Sequence, residues 1–268
     1  MRQRIAVLGI AVLGSAALVF CAMASPAAGQ DVAVDLQLVL AVDVSGSMDD
    51  DEHILQRQGY VAAFRHPGVV EVIKSGYRGR IAVTYFEWAG PVGQVITAPW
   101  TVIDGAAAAN RFAEILATKP VAYIRGTSIS GGILYGATLF DGNGFASDRR
   151  VIDVSGDGAN NVGEPVEPSR DHVVRQGITI NGLPLLLKEY WGLGTPLDVY
   201  YKDCVVGGRG AFVVPVRKPA HMARAIRRKL ILEIAEPANL VIHAAHQVQT
   251  AKTDCFIGEK MREMREEW

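Results

Sequence analysis

The stretch Leu36-Gln37-Leu38-Val39-Leu40-Ala41-Val42 runs directly into Asp43-Val44-Ser45-Gly46-Ser47-Met48. Its first seven residues form an apolar run without polar alternation, the pattern of a strand buried on both faces. The residues that follow place a carboxylate and two hydroxyls at alternate positions around a glycine. A buried strand opening into such a loop belongs to a parallel sheet, in which ligands bind where strands deliver their carboxyl ends.

Moving outward, the alternation of strand and helix continues. Residues 51–64 carry Ile54, Leu55, Val61 and Phe64 at helical spacing. Residues 80–88, rich in Val, Thr, Tyr and Phe, read as a second strand, and 95–99 as a short third. An Ala-rich helix is expected over 105–118 and a glycine-weakened one over 130–140. A buried strand over 151–154, a short helix over 169–176 and a strand over 178–187 follow. The last strand falls at 210–216. The last helix of the domain covers 220–234, with Met222, Ile226, Leu230 and Ile234 down one side and Arg224, Arg227, Arg228 and Lys229 as its wet face. This order predicts a doubly wound α/β domain, with a mainly parallel central sheet and helices on both faces. The Gly-, Tyr- and Pro-rich segment 189–208 reads as a surface elaboration. The charged run 259–268 reads as a solvated helix.

The first thirty residues differ in kind. Arg2 and Arg4 precede an apolar stretch over 5–19, and Ala22-Met23-Ala24 has the small-x-small form of a cleavage site. That is the build of a secretory signal peptide, too short in its apolar part for a permanent span. The expected organisation is therefore a signal over 1–30, a domain over 31–235 and an extension over 236–268, in a periplasmic or secreted protein. With the signal gone, two cysteines remain, Cys204 and Cys255. In an oxidising compartment they form a disulfide tying the extension to the domain, or else stay as two buried thiols. Across 268 residues, 27 basic side chains balance 28 acidic ones, which leaves no electrostatic footprint for nucleic acid.

Three loops concentrate the polar chemistry. Asp43, Ser45 and Ser47 follow the first strand. Thr127, in Arg125-Gly126-Thr127-Ser128-Ile129-Ser130, opens a helix. Asp157 follows the 151–154 strand in Ser155-Gly156-Asp157-Gly158. Five oxygen side chains, only two of them carboxylates, are hard ligands suited to Mg²⁺ or Mn²⁺. An ion held largely by hydroxyls and water stays short of negative charge, and a partner protein's Asp or Glu can supply it.

These three motifs resemble the von Willebrand factor A domain and its metal-ion-dependent adhesion site. The family's Asp-x-Ser-x-Ser is Asp43-Val44-Ser45-Gly46-Ser47. Its Gly-Thr at a helix head is Gly126-Thr127. Its Asp-Gly after a later strand is Asp157-Gly158. The resemblance covers roughly 34–235 and implies that Ser45, Ser47 and Thr127 offer hydroxyls to the metal, with Asp43 and Asp157 acting directly or through water. This chain departs from the family in having Gly156 where a Thr is common.

Other readings bear on the same residues. Ser47 is placed to cap the helix that follows it, with Asp49, Asp50, Asp51 and Glu52 against that helix's positive end. A metal-assisted hydrolase would use the same ion as a Lewis acid but needs a base, for which Asp49 or Asp50 are the nearest candidates. Asp153-x-Ser155-x-Asp157-Gly158 mimics a calcium loop, but no helix leads into it. The six histidines are scattered, with His243 and His246 a pair only if the tail is helical.

Overall fold

Strand β2 (Gln37–Asp43) is buried along its whole length, as its apolar middle, Leu38 to Val42, requires. In the computed structural model, which describes residues 30–122, 125–188, 194–235 and 253–267, it is the centre of a five-stranded sheet. The elements in chain order are β1 (Val32–Ala33), β2, α1 (Asp50–Phe64), α2 (Pro67–Lys74), β3 (Ile81–Trp88), β4 (Gln94–Ile103), α3 (Ala106–Thr118), α4 (Ile129–Thr138), β5 (Phe145–Ala146), β6 (Arg150–Gly156), α5 (Val166–Arg175), β7 (Ile178–Pro184), α6 (Leu197–Tyr200), α7 (Met222–Ala235) and α8 (Ile257–Glu266). The expected signal segment up to residue 29, and His243 and His246, lie outside the described residues. Residues Asp31–Trp268 form one unit.

The sheet order is β4-β3-β2-β6-β7. All neighbours pair in parallel except the β3–β4 hairpin. Side chains alternate across β2. Leu38, Leu40 and Val42 enter a core shared with Tyr60 and Phe64 of α1, Phe112 of α3, and Ile226 and Leu230 of α7. Val39 and Ala41 enter the opposite core with Ile133 of α4, Val173 of α5 and Tyr200. Helices therefore cover both faces, as expected of a doubly wound domain.

Four local readings need correction. Residues 67–74 form α2, which was not anticipated; Pro67 takes the first turn, where its missing N–H costs nothing, and the His66 side chain caps Gly68. Residues 210–216 do not make a full strand. They follow β7 only through isolated bridges at Val213 and Val216, because Pro184 and Pro215 lack ladder donors and the Phe212 N–H goes to the Asn181 side chain. The segment 189–208 is not merely superficial, since Leu197, Tyr200, Tyr201, Cys204 and Val205 are buried. Finally, Lys229 is not on the wet face of α7; it is fully buried there with Glu233.

Candidate functional site

The parallel strands end together, and their loops meet at that end of the sheet. Asp43 is the last residue of β2, paired with Trp88 at the end of β3. Beyond it the chain turns back on itself, with Ser45 N–H donating to Asp43 Oδ1 at 2.7 Å. This turn swings Ser45 and Ser47 towards one point, and their hydroxyls lie 2.9 Å apart. Ser47 Oγ then donates to Asp157 Oδ1 at 2.5 Å, reaching the loop after β6. Thr127 Oγ1 donates to Ser45 Oγ at 3.3 Å from the loop before α4. All five residues singled out from sequence therefore converge.

Ser47 is free for this because the helix is capped by another residue. Asp49, not Ser47, caps α1, and it forms a reciprocal capping box with Glu52. The acids following Ser47 are thus absorbed by the helix start. Lys188, just beyond β7, grips this loop from outside: its Nζ donates to Ser47 O at 3.1 Å and to Glu52 Oε2 at 2.5 Å.

The second and third loops are clamped to each other. Asn161 N–H donates to Thr127 O at 2.9 Å, and Thr127 N–H donates back to Asn161 Oδ1 at 3.0 Å. One residue earlier, Asn160 Oδ1 accepts from Ser130 N–H at 3.0 Å. Its Nδ2 donates to Glu259 Oε1 of α8 at 2.7 Å, and its own N–H donates to the Tyr200 hydroxyl at 3.2 Å. The Cys204–Cys255 disulfide is formed and seats α8 here. Gly258 packs so closely on Asn160 O that a methyl group there would lie 2.0 Å from it. Sequence reasoning missed Asn160, Asn161, Lys188 and Glu259. The Asn160-Asn161 pair directly after the third motif was the available signal.

The departure at Gly156 has a structural counterpart. A β-carbon at this position would sit 2.7 Å from Asp43 Oδ2 and 2.8 Å from the Tyr201 hydroxyl. Tyr201, from the inserted segment, fills the room that a side chain at 156 would need.

The electrostatics suit a cation. Asp43 is buried, and burial together with the nearby Asp157 carboxylate pushes it up to about 8. Its Oδ2 is buried without a hydrogen bond. Two carboxylates held together in a largely buried cradle with three hydroxyls are chemically short of a positive charge. The residues present fit a hard divalent ion. Among the described residues no group of three or more His, Cys, Asp or Glu gathers to hold one, here or elsewhere, so hydroxyls would have to supply the remaining ligands.

Solved structures with this fold are numerous. A pilus adhesin, SpaC, from Lactobacillus rhamnosus GG matches with a TM-score of 0.55 and 12% identity, over 75% of this chain and 30% of that one. A von Willebrand factor type A protein from Catenulispora acidiphila matches at 0.52 and 13%, over 75% and 43%. Proximal thread matrix protein 1 from the mussel byssus, solved with a zinc-occupied MIDAS motif, matches at 0.52 and 13%, over 76% and 47%. This chain thus spans less than half the length of each. No curated protein matches the sequence. Residues 33–238 match the family described as a protein of unknown function, DUF1194. The chain belongs to that family, on a von Willebrand factor A-like fold.

Proposed function

We propose that this protein is an exported, metal-ion-dependent binding module of the adhesion type, acting in the periplasm or outside the cell. The observation that carries this is the convergence of five oxygen side chains from three loops, of which only Asp43 and Asp157 are carboxylates. Ser45, Ser47 and Thr127 would hold a Mg²⁺ or Mn²⁺ ion, with Asp43 and Asp157 balancing its charge. When bound, the ion supplies an electrophilic position open to an Asp or Glu of a partner protein. The chain's own residues keep that position fixed. Lys188 holds the Ser47 backbone, Asn161 locks Thr127 to the third loop, and the Asp49–Glu52 box sets the direction in which α1 leaves.

Support for a binding module over a hydrolase comes from Asp49. Its carboxylate accepts the Glu52 N–H as the helix cap, which leaves it poorly placed to act as a base. The adhesin and the byssal matrix protein among the structural neighbours point the same way.

The test is calorimetric titration of the purified protein with Mn²⁺, then capture from envelope extract with and without EDTA. Saturable Mn²⁺ binding, lost in a Ser45→Ala, Ser47→Ala double variant, and EDTA-sensitive capture are expected. Equal binding by the double variant would sink the reading. Turnover of simple phosphate or ester substrates would favour the hydrolase instead.

A further inference from the structure

The sheet face beneath α7 conceals a second polar cluster, independent of the metal site. Lys229 is 0% exposed, Asp153 1%, Asn181 2% and Glu233 2%. Lys229 Nζ lies 2.7 Å from Asp153 Oδ1 and also donates to Glu233 Oε1. Asn181 Nδ2 donates to that same Glu233 oxygen at 3.0 Å. Asn181 Oδ1 accepts the backbone N–H of Phe212 at 3.1 Å, and the Phe212 ring lies 5.5 Å from Lys229 Nζ.

A buried ion-pair network would account for part of this. Two carboxylates facing one ammonium would leave an unbalanced charge in the interior, so one carboxyl carries a proton. Burial and the Asp153 charge push Glu233 up to about 7. Burial also raises Asp153, against the pull of Lys229. An ion pair does not, however, require the arrangement around Asn181. There, one carboxyl oxygen touches both an amine and a carboxamide nitrogen, while a backbone N–H polarises the carboxamide carbonyl. Those are the parts of an acyl transfer: nucleophile, proton shuttle, leaving group and oxyanion donor.

We infer that Lys229 and Asn181 become joined by an isopeptide bond between Lys229 Nζ and Asn181 Cγ. Asp153 takes one proton from the Lys229 ammonium. The freed amine lone pair attacks Asn181 Cγ, and the Phe212 N–H stabilises the oxygen as it gains charge. Glu233 Oε1, bonded to both nitrogens, passes a second proton from Nζ to Nδ2. The Cγ–Nδ2 bond then breaks, ammonia leaves, and one proton remains on the new amide. No oxidant, reductant or co-reactant is needed. A pocket of about 300 Å³, lined by Asn181, Phe212 and Glu233 among others, gives the ammonia a way out. The product ties α7 covalently to β7.

Mass spectrometry of the denatured, reduced protein tests this without requiring any variant to fold. The expected mass is about 17 Da, one ammonia, below that calculated for a chain with the same ends and no such bond. Cyclisation of an N-terminal glutamine gives the same loss, so the deciding readout is a branched peptide containing both 181 and 229 after proteolysis. Glu233→Gln and Lys229→Arg, with folding checked by circular dichroism, are expected to yield two separate peptides. Separate peptides from the unaltered protein overturn the bond. A branched peptide that persists in Glu233→Gln overturns the role given to Glu233.

Discussion

Ser47 and Asp157, 110 residues apart in sequence, meet across a 2.5 Å hydrogen bond from Ser47 Oγ to Asp157 Oδ1. This contact closes the first loop onto the third, and its two oxygens belong to the proposed metal cradle. Ser47 is itself exposed, but its hydroxyl serves the buried Asp157 and Ser45, so its removal takes a hydrogen bond from each. Ser47→Ala is expected to destabilise the metal-free protein by about 1–3 kcal/mol. It is expected to weaken Mn²⁺ binding by at least about tenfold. Urea unfolding in EDTA and calorimetric titration separate the two. A variant whose Mn²⁺ affinity matches the parent's would remove Ser47 from the site.

Crowding at Gly156 gives a second prediction. A methyl group there would meet Asp43 Oδ2 and the Tyr201 hydroxyl, each under 3 Å away. Gly156→Ala is expected to cost about 1–3 kcal/mol. Tyr201→Phe removes one of the two obstacles, so the double variant should be less destabilised than the sum of the single ones. Strict additivity in urea unfolding would show that Tyr201 does not fill this space.

The succession of the main strands and helices along the chain was readable, and so were the three loops that meet, because the signals for both are local. Apolar runs mark β2, β6 and β7, and each motif sits within a few residues of a strand end or a helix start. What escaped depends on distant partners. Lys229 looks like a solvated helix residue until Asp153 and Asn181, from strands β6 and β7, are placed around its cluster. Asn160 and Glu259, 99 residues apart, carry no mutual signal in the chain. Residues 210–216 have strand composition, yet prolines in both that segment and β7 prevent a regular ladder.

The tail offers a third prediction. The disulfide closes a separation of 51 residues, and Cys204→Ser with Cys255→Ser is expected to lower stability by about 2–4 kcal/mol. Since α8 holds Asn160 through Glu259, Glu259→Ala should also weaken Mn²⁺ binding, whereas Glu259→Gln, which keeps an acceptor for Asn160 Nδ2, should restore it. Equal affinities for both variants would reduce α8 to a purely stabilising element.

While Lys229 still carries its ammonium, before it is joined to Asn181, Glu233 supplies a pH dependence. Its folded value of about 7 lies above the ordinary 4.5, so between these values the folded state keeps a proton that the unfolded chain has released. Stability should therefore fall as pH rises through this window and level off above about 7. Asp153, Lys229 and Tyr60 face the same cluster. Glu233→Gln should flatten the slope in denaturant unfolding measured from pH 4.5 to 8. An unchanged slope would place the titrating group elsewhere.

The position of α8 has a practical consequence for anyone isolating the domain. The family match stops at residue 238, well short of Cys255. A chain trimmed to that boundary would keep every cradle oxygen, yet it would strip the lid from Ala159 and Asn160 and leave Cys204 as an odd thiol. Such a fragment would be prone to pair with its own copies through that sulfur. Its weakened ion affinity would then reflect the trimming, not the protein.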